Sequence, residues 1–491
     1  MHHPDSPFPT YNAPRDHENL GENHGPPTDP GSRGLAAIAW ISILALIGVV
    51  LVLNRLPPPA ATGPVTVLPP DATMTLMGRY AMGAKSLTPA NTDQLRPLVT
   101  QLDTLAVDRP EDRLRAAIIA GELMGPEAAR ERIDEILADH PLETADAPDP
   151  DGPAPISPEL ESDLDLVRAI SRGEVVDRDA AAHAGFIERH RWFGRLALTQ
   201  GESTADPARA AIVAQGQRTT GVMLGIVVLA IALGVVGLVM SIIALTLFAK
   251  GRLRGAYAPP APGGSVYLEA FAVFMGMFLV VNIVAGVIEQ ATGTDYTSYL
   301  IWLVPLTAFY PLLRGQPWSR HRYAIGWHTG RGVFREIGAA SVGYLAGLPI
   351  VAAGVGITLL LMFIWGLIAG DKGGGPPTHP VIDKVASGGV LGLLGVLLLA
   401  SVWAPLTEET LFRGALYHHL RGRLRPFFGA LIVGLIFAVI HPQGFLAVPA
   451  LASLGFVFCL MREWRGSIIA PAVAHGLHNG TVVVALWLAL S

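Results

Sequence analysis

The sequence predicts an all-α protein, namely a polytopic transmembrane helical bundle with an extra soluble helical domain. Hydrophobic residues make up 51% of the chain, charged residues only 15%, and the mean hydropathy is +0.43. Several uninterrupted apolar runs reach the roughly 20 residues that a helix needs to cross a bilayer. The polar stretch between the first two runs repeats its apolar positions at helical spacing. These observations together indicate a multi-pass membrane protein.

Charge and cysteine content exclude two classes of function. The net charge is -5 and the isoelectric point is near 6.3, and the arginines of the membrane region lie in short loops, so no nucleic-acid partner is expected. The single cysteine, Cys459, lies in an apolar run. The chain therefore has neither a disulfide framework nor a cysteine-based zinc site.

The N-terminal region combines a polar tail with an apolar anchor. Residues 1–33 are rich in Pro, Gly, Asn, His and Asp and lack periodic apolar positions, which predicts a disordered tail. The run Gly34–Leu53 is followed by Arg55 and a proline-rich stretch, which predicts a transmembrane anchor over residues 34–54. Because the preceding tail is longer than the n-region of a signal peptide, we expect the anchor to remain uncleaved.

Residues 55–218 are predicted to form a soluble helical domain. Apolar positions recur at helical spacing over Pro110–Gly125 and 126–138, with Asp108 as an expected N-cap and Pro110 in the first turn. A Pro- and Asp-rich break over Glu143–Pro158 divides the domain into two helical halves. No catalytic pattern occurs in it. Stacked helical hairpins would suit protein binding, so a protein partner for this domain is left open.

From residue 219 onward almost all of the chain is predicted to lie in the membrane. Residues 219–264 form a transmembrane helix and a cytoplasmic linker, and residues 265–491 form the remaining membrane domain. The anchor and the later apolar runs give nine predicted spans: Gly34–Leu53, Gly221–Ala249, Val266–Ile288, Ser298–Leu313, Ile337–Leu367, Val390 to about Arg421, Phe427–His441, Phe445–Met461 and Ser467–Leu490.

The basic residues predict how these spans are oriented. Arginine and lysine concentrate in alternate connections, over residues 250–254, 314–335, 421–425 and 462–465. By the positive-inside rule these connections are cytoplasmic. Nine spans then place the N-terminus inside and the 55–218 domain outside the cytoplasm.

Three polar clusters interrupt the apolar helices near the C-terminus. They are Glu408-Glu409-Thr410-Leu411-Phe412-Arg413, Phe437-Ala438-Val439-Ile440-His441, and His475-Gly476-Leu477-His478-Asn479. Ionisable side chains at membrane depth are costly and usually mark a functional site. The three clusters are therefore interpreted as one active site inside the membrane.

Helix geometry allows the clusters to meet. Glu408 lies sixteen residues before Leu424, and His441 lies sixteen residues after Arg425, so the two arms of this hairpin return to the same depth. His475 and Asn479 are four residues apart and project from one face of the last helix.

The residue types point to amide hydrolysis without a covalent nucleophile. Glu408 is the candidate general base, which takes a proton from water. His441 is expected to hold or activate that water, directly or through a metal. His475 and Asn479 offer hydrogen-bond donors to an oxyanion that forms on a peptide carbonyl.

Glu409 and Arg413 are assigned a supporting role. They are four residues apart on a helix, so they are expected to neutralise each other, and Glu409 points about 100° away from Glu408. A purely structural salt bridge is the alternative for this pair. For Glu408, His441 and His475 the alternative is a structural polar network.

The ordered motifs Glu-Glu-x-x-x-Arg, Phe-x-x-x-His and His-x-x-x-Asn resemble the signature of the CPBP family. This family contains the type II CAAX prenyl endopeptidases and the bacteriocin-processing and immunity-associated ABI group. The resemblance covers residues 265–491 and implies an intramembrane glutamate-dependent endopeptidase, usually described as a metalloprotease. It implies Glu408, His441, His475 and Asn479 as the catalytic set and a divalent metal such as zinc as a candidate cofactor. The anchor and the soluble domain lie outside the family pattern.

Other polar residues in the membrane region receive structural interpretations. His478 is expected to pack or to lie at an interface, and His418 and His419 are expected to face lipid headgroups. Glu269 and Asn282 either line the cavity or form hydrogen bonds between helices. Pro405 lies one turn before Glu408 and is expected to kink its helix and to free backbone carbonyls.

The substrate class is only broadly predicted. The expected substrate is a peptide or protein in or at the lipid bilayer. Only four of the 35 basic residues are lysine, which suggests a GC-rich bacterial genome and so a location in the inner (plasma) membrane. Prenylated CAAX proteins are then not the expected substrates. The alternative function is a catalytically idle scaffold or bacteriocin-immunity protein whose outer domain does the binding.

Overall fold

A computed structural model describes residues 28–53, 71–87, 92–106, 109–140, 156–179, 181–292, 296–369 and 389–490. Most of the predicted disordered tail, residues 1–27, lies outside these ranges. So does most of the predicted break Glu143–Pro158, of which only residues 156–158 are described.

Every regular element within the described ranges is helical. The α-helices are α1 Arg33–Leu53, α2 Asp71–Leu87, α3 Arg96–Leu105, α4 Pro110–Met124, α5 Pro126–Asp139, α6 Pro158–Ser171, α7 Ala184–His190, α8 Trp192–Leu198, α9 Pro207–Ala249, α10 Val266–Thr292, α11 Thr297–Leu300, α12 Tyr310–Leu313, α13 Trp318–Ala324, α14 Val333–Ala369, α15 Gly389–Arg421, α16 Pro426–Val439, α17 Val448–Arg465 and α18 Ile469–Leu490. Short 3₁₀ segments occupy Thr92–Leu95, Ile301–Phe309 and Phe445–Ala447. The predicted all-α architecture is confirmed.

Seven helices in the described ranges are long and apolar enough to cross a membrane. They coincide with seven of the nine predicted spans. The other two predicted spans, Ser298–Leu313 and Phe427–His441, correspond to shorter apolar helices over Ile301–Leu313 and Pro426–Val439. The first is mostly 3₁₀ and contains Pro305, which has no N–H to donate to a helical hydrogen bond. The second has 14 residues, about 21 Å, and ends before His441.

The domain that is predicted to lie outside the cytoplasm, called the outer domain below, consists of α2 to α8 and the first part of α9. Its core contains Leu114, Ile118, Ile133 and Phe193, all fully buried. Helix α9 has 43 residues, about 65 Å, so it continues from this domain across the predicted domain border at residue 218 and through the bilayer.

Helix α4 begins as predicted at Pro110 but with a different cap. Arg109 occupies the N-cap position, and its side chain forms no capping hydrogen bond. Asp108, the expected cap, lies outside the described residues.

The four basic connections meet at one end of the bundle. Arg423 donates to the carbonyl of Gly264 at 2.9 Å, Arg462 donates to that of Ala324 at 2.9 Å, and the amide of Ala256 donates to Glu463 O at 3.0 Å. At the opposite end Thr219 donates to the carbonyl of Ala489 at 3.1 Å, beside the outer domain. The four basic connections, which alternate along the sequence, thus lie at the same end of the described bundle.

The structure corrects the interpretation of two histidines and settles that of Glu269. His418 and His419 do not face headgroups but are buried at the basic end, where His418 contacts Asp29 at 3.0 Å and Tyr257 at 2.7 Å. The reason is that the segment before α1 and the loop after α9 fold over them. Glu269 forms interhelical bonds, since Tyr310 donates to it at 2.8 Å.

Candidate active site

Helix α15 carries the first cluster and departs twice from regular α geometry. Residues Leu399–Trp403 and Glu409–Leu416 form π segments with i→i+5 hydrogen bonds, on either side of a short α-helical piece that ends at Glu408. π segments within α-helices are rare and frequently occur at functional sites. Here they set the directions in which the two adjacent carboxylates point.

Glu409 and Arg413 form the ion pair that their spacing predicts. Arg413 Nη1 donates to Glu409 Oε1 at 2.8 Å, and both side chains are completely buried. Arg413 also donates to the carbonyl of Gly455 at 3.0 Å, and its guanidinium lies 4.9 Å from the ring centroid of Phe437 and 5.2 Å from that of Phe458. Hydrogen bonds and cation–π contacts thus offset the cost of burying this charge.

His475 of α18 lies between the two carboxylates. Its Nδ1 is 2.9 Å from Glu409 Oε1, and its Nε2 is 3.8 Å from Glu408 Oε2. The imidazole stacks on Phe458 with the centroids 5.0 Å apart. Because a carboxylate only accepts, Nδ1 is the donor toward Glu409, and Nε2 is the atom that faces Glu408.

His441 lies just beyond the end of α16. Its Nδ1 contacts the carbonyl of Phe437 at 2.5 Å, which makes Nδ1 the donor and leaves Nε2 with a lone pair. The ring of Phe437 is close to both imidazoles, with its centroid 4.3 Å from that of His441 and 6.0 Å from that of His475. The predicted hairpin therefore does bring His441 to the site.

Asn479 approaches the site in a way that the sequence does not predict. Its Nδ2 donates to the carbonyl of Ala400 at 2.8 Å, so one of its two N–H groups is used within the protein. His478 points to another flank, where its Nδ1 contacts Tyr344 OH at 2.7 Å. This agrees with the packing role that the sequence indicates for His478.

A groove runs beside the site between α15 and α18. It has a volume of about 410 Å³ and is lined by apolar atoms of residues that include Val402, Pro405, Leu406, Gly476 and Leu477. Val402, Leu406 and Leu477 are exposed on the apolar surface of the bundle.

The donor types at the site fit a divalent metal. Glu408, His441 and His475 supply one carboxylate and two imidazoles, and in each histidine Nδ1 is fixed by an oxygen while Nε2 remains available. Such oxygen partners are typical of metal-binding histidines. Across the ranges that the structure covers, no three His, Cys, Asp or Glu side chains are grouped closely enough to form a ready-made metal site.

Sequence reasoning missed two contacts, Glu409 to His475 and Asn479 to Ala400. Neither has a local signal, because the partners are 66 and 79 residues apart. The absence of an N–H at Pro405 is the one sequence feature that hints at the second contact.

Comparison with known proteins gives one family match. The family model described as "Type II CAAX prenyl endopeptidase Rce1-like" matches residues 390–481, which contain all six candidate site residues.

Two curated proteins are similar over part of their length. One is an Escherichia coli protein described as an uncharacterized 24.3 kDa protein, 28% identical over 134 residues that make up 26% of this chain and 59% of that protein. The other is the membrane-embedded CAAX protease MroQ of Staphylococcus aureus (strain USA300), 26% identical over 144 residues, or 28% of this chain and 57% of that protein. The chain thus spans a little under three fifths of the length of both relatives. No solved structure matches.

Proposed function

We propose that this protein is a membrane-embedded, glutamate-dependent endopeptidase, because residues 390–481 match the family model of the Rce1-like type II CAAX prenyl endopeptidases. Its substrates are membrane-associated or lipidated proteins or peptides, and it hydrolyses their peptide bonds with an activated water molecule. The membrane is the bacterial inner membrane.

The observation that carries this proposal is the environment of Glu408. Its Oε2 is buried and has no hydrogen-bond partner among the described residues, although it lies 3.8 Å from His475 Nε2. A buried oxygen without a donor is costly, and it is satisfied when a water molecule donates to it. Glu408 is therefore poised to accept a proton from water.

The proposed roles of the other residues follow from their donor and acceptor atoms. His441 Nε2 accepts a hydrogen bond from the same water and orients it. The water oxygen forms a bond with the carbonyl carbon as its proton moves to Glu408, and Glu408 then delivers this proton to the leaving nitrogen when the C–N bond breaks. The charges and atoms balance without a covalent enzyme intermediate.

His475 stabilises the oxyanion in its doubly protonated form. Nδ1–H is already committed to Glu409, so Nε2 donates only when it also carries a proton. The second N–H of Asn479 is available as a further donor, because Ala400 uses only one.

A divalent metal such as zinc remains part of the proposal. In this alternative form of the scheme Glu408, His441 and neutral His475 would hold the metal, Asn479 would remain as the oxyanion donor, and the bound metal would polarise the carbonyl and lower the pKa of water. The test of this part is whether activity lost on treatment with a chelator returns with zinc.

Glu408→Gln tests the proposal as a whole. Membranes from cells with the wild-type protein and with this variant are compared for new protein N-termini by mass spectrometry. We expect a set of N-termini that requires Glu408, since glutamine has a similar size but cannot take up the proton. Glu174→Gln serves as the control, because Glu174 is an exposed glutamate of the outer domain.

Identical N-termini in the wild-type protein and Glu408→Gln would contradict hydrolysis by this site. That result would instead favour the second candidate, a catalytically idle scaffold or immunity protein that acts through its outer domain.

A further inference from the structure

The bond between Asn479 and the carbonyl of Ala400 is explained by a missing hydrogen bond in α15. In the π segment the amide of Ala404 donates to the carbonyl of Leu399. The carbonyl of Ala400 has its next possible donor at position 405, where proline has no N–H. The carbonyl of Ala400 is therefore left without a donor from its own helix.

Helix α18 supplies the missing donor from across the interface. Asn479 Nδ2 lies 2.8 Å from the carbonyl oxygen of Ala400. One turn earlier on α18, Gly476 packs so closely that a Cβ there would lie 2.3 Å from the carbonyl oxygen of Ser401. In a regular α-helix the carbonyl of Ser401 would accept a hydrogen bond from the N–H of residue 405, which proline lacks. Both carbonyls affected by Pro405 thus face α18.

We propose that Pro405 and Asn479 form one positioning unit for the catalytic pair. Pro405 lies three residues before Glu408, and Asn479 lies four residues after His475. The bond between Asn479 and the carbonyl of Ala400 joins the segments of α15 and α18 that carry these two residues. It holds Glu408 Oε2 and His475 Nε2 at their separation of 3.8 Å.

This inference adds to the proposed function a role for Asn479 that does not depend on the oxyanion. An oxyanion donor acts only while the substrate reacts, whereas the bond to Ala400 exists in the resting protein. Only the consequence for Glu408 and His475 rests on the proposed function. The contribution to stability can be measured without a substrate.

A double-mutant cycle tests the unit through the thermal stability of the full-length protein in detergent. Asn479→Ala leaves the carbonyl of the half-buried Ala400 without a donor, so we expect a Tm loss of about 5 °C. Pro405→Ala supplies an N–H that extends the i→i+5 pattern to Ala400. In the Pro405→Ala background we therefore expect Asn479→Ala to cost much less. Asn479→Leu, which has a similar volume and no donor, should behave like Asn479→Ala.

The second measurement reports on the site itself. In protein with ¹⁵N-labelled histidine, Asn479→Ala should shift the NMR signals of His475, and the added Pro405→Ala should return them toward the wild-type position. The signals of His441 provide an internal comparison in the same spectrum. The control is His478→Ala, which removes a contact to Tyr344 and should have the same effect on Tm in both backgrounds.

Additive effects on Tm would overturn the inference, because they show that Pro405 and Asn479 act separately. So would an unchanged Tm in Asn479→Ala, which would indicate that Asn479 acts only during the reaction. If Asn479→Ala fails to fold, recovery of folded protein by the added Pro405→Ala supports the unit, and failure to recover it contradicts the unit.

Discussion

At the scale of single residues, the side chain of Glu409 connects Arg413 of its own helix with His475 of α18. Its spacing predicts the ion pair with Arg413, and the structure contains that pair. The same oxygen atom also lies 2.9 Å from His475 Nδ1, so Glu409 sets the orientation of an imidazole on another helix. A helical spacing rule reaches only a turn along one helix, which is why the second contact could not be predicted.

Glu409→Gln should lower both stability and catalysis. The variant leaves Arg413 buried without a counter-charge, which costs roughly 3–5 kcal/mol, and it removes the carboxylate that orients His475. We expect a lower Tm and a rate of product formation reduced roughly 10- to 100-fold. Thermal unfolding and the appearance of the Glu408-dependent N-termini measure the two effects.

Glu409→Gln combined with Arg413→Met separates the two effects. Removing both charges should restore part of the Tm, because no unpaired charge remains buried, while the rate stays low. A double variant with near wild-type rate would show that Glu409 does not orient His475.

At the scale of elements, two glycines let α16 and α17 approach closely. A Cβ on Gly434 would lie 2.6 Å from the carbonyl oxygen of Ala452, and a Cβ on Gly455 would lie 2.9 Å from Gly434 Cα. Small residues at such interfaces are characteristic of membrane helix packing. This approach also brings the carbonyl of Gly455 within 3.0 Å of Arg413.

Gly434→Val should disrupt the site without touching any catalytic side chain. The added methyl groups force α16 away from α17, and Arg413 then loses its bond to Gly455. We expect a lower Tm and reduced formation of the Glu408-dependent N-termini. Gly395→Val is the matched control, because a Cβ at Gly395 meets nothing within 4 Å. Equal behaviour of the two variants would show that the close approach is dispensable.

The outer domain contains a buried carboxylate whose ion pairs make stability depend on pH. Asp163 accepts from Arg189 at 2.6 and 2.8 Å and contacts His190 at 2.9 Å. Burial raises the pKa of Asp163, but the hydrogen bonds from Arg189 and His190 outweigh burial, so the pKa lies below its usual value of 3.8.

A carboxyl group whose pKa is lower in the folded state than in the unfolded chain stabilises the folded state at pH values above its unfolded pKa. For Asp163 this contribution is complete above about pH 4 and is lost as the pH falls through the folded pKa. We therefore expect the protection of peptides from residues 158–198 against hydrogen exchange, relative to the intrinsic exchange rate at each pH, to fall on acidification below about pH 4. Asp163→Asn should exchange faster at neutral pH and show a weaker dependence on acid. An unchanged acid response in Asp163→Asn would assign the effect to other groups.

The whole molecule shows how far sequence patterns extend. Hydropathy and arginine placement predict the anchor, the outer domain and the alternation of the basic connections, because each follows from the cost of placing polar groups in a bilayer. The same patterns overestimate Ser298–Leu313 and Phe427–His441, since proline and helix ends depend on local backbone bonding. Contacts between distant helices, such as Asn479 with Ala400, depend on packing that no local pattern encodes.

The last prediction concerns the orientation of the whole chain in the membrane. The connections over residues 250–265, 314–336, 421–425 and 462–466 are joined to one another at one end, and the outer domain lies at the other. By the positive-inside rule the basic end is cytoplasmic.

A periplasm-active reporter placed after residue 54 should therefore work, and a cytoplasm-only reporter there should fail. A reporter after residue 491 should follow the same pattern, because Ala489 bonds to Thr219 at the outer end, whereas a reporter inserted at Gly422 should give the reverse. Periplasmic activity at Gly422 together with cytoplasmic activity after residue 54 would invert the proposed topology and place the outer domain inside the cell.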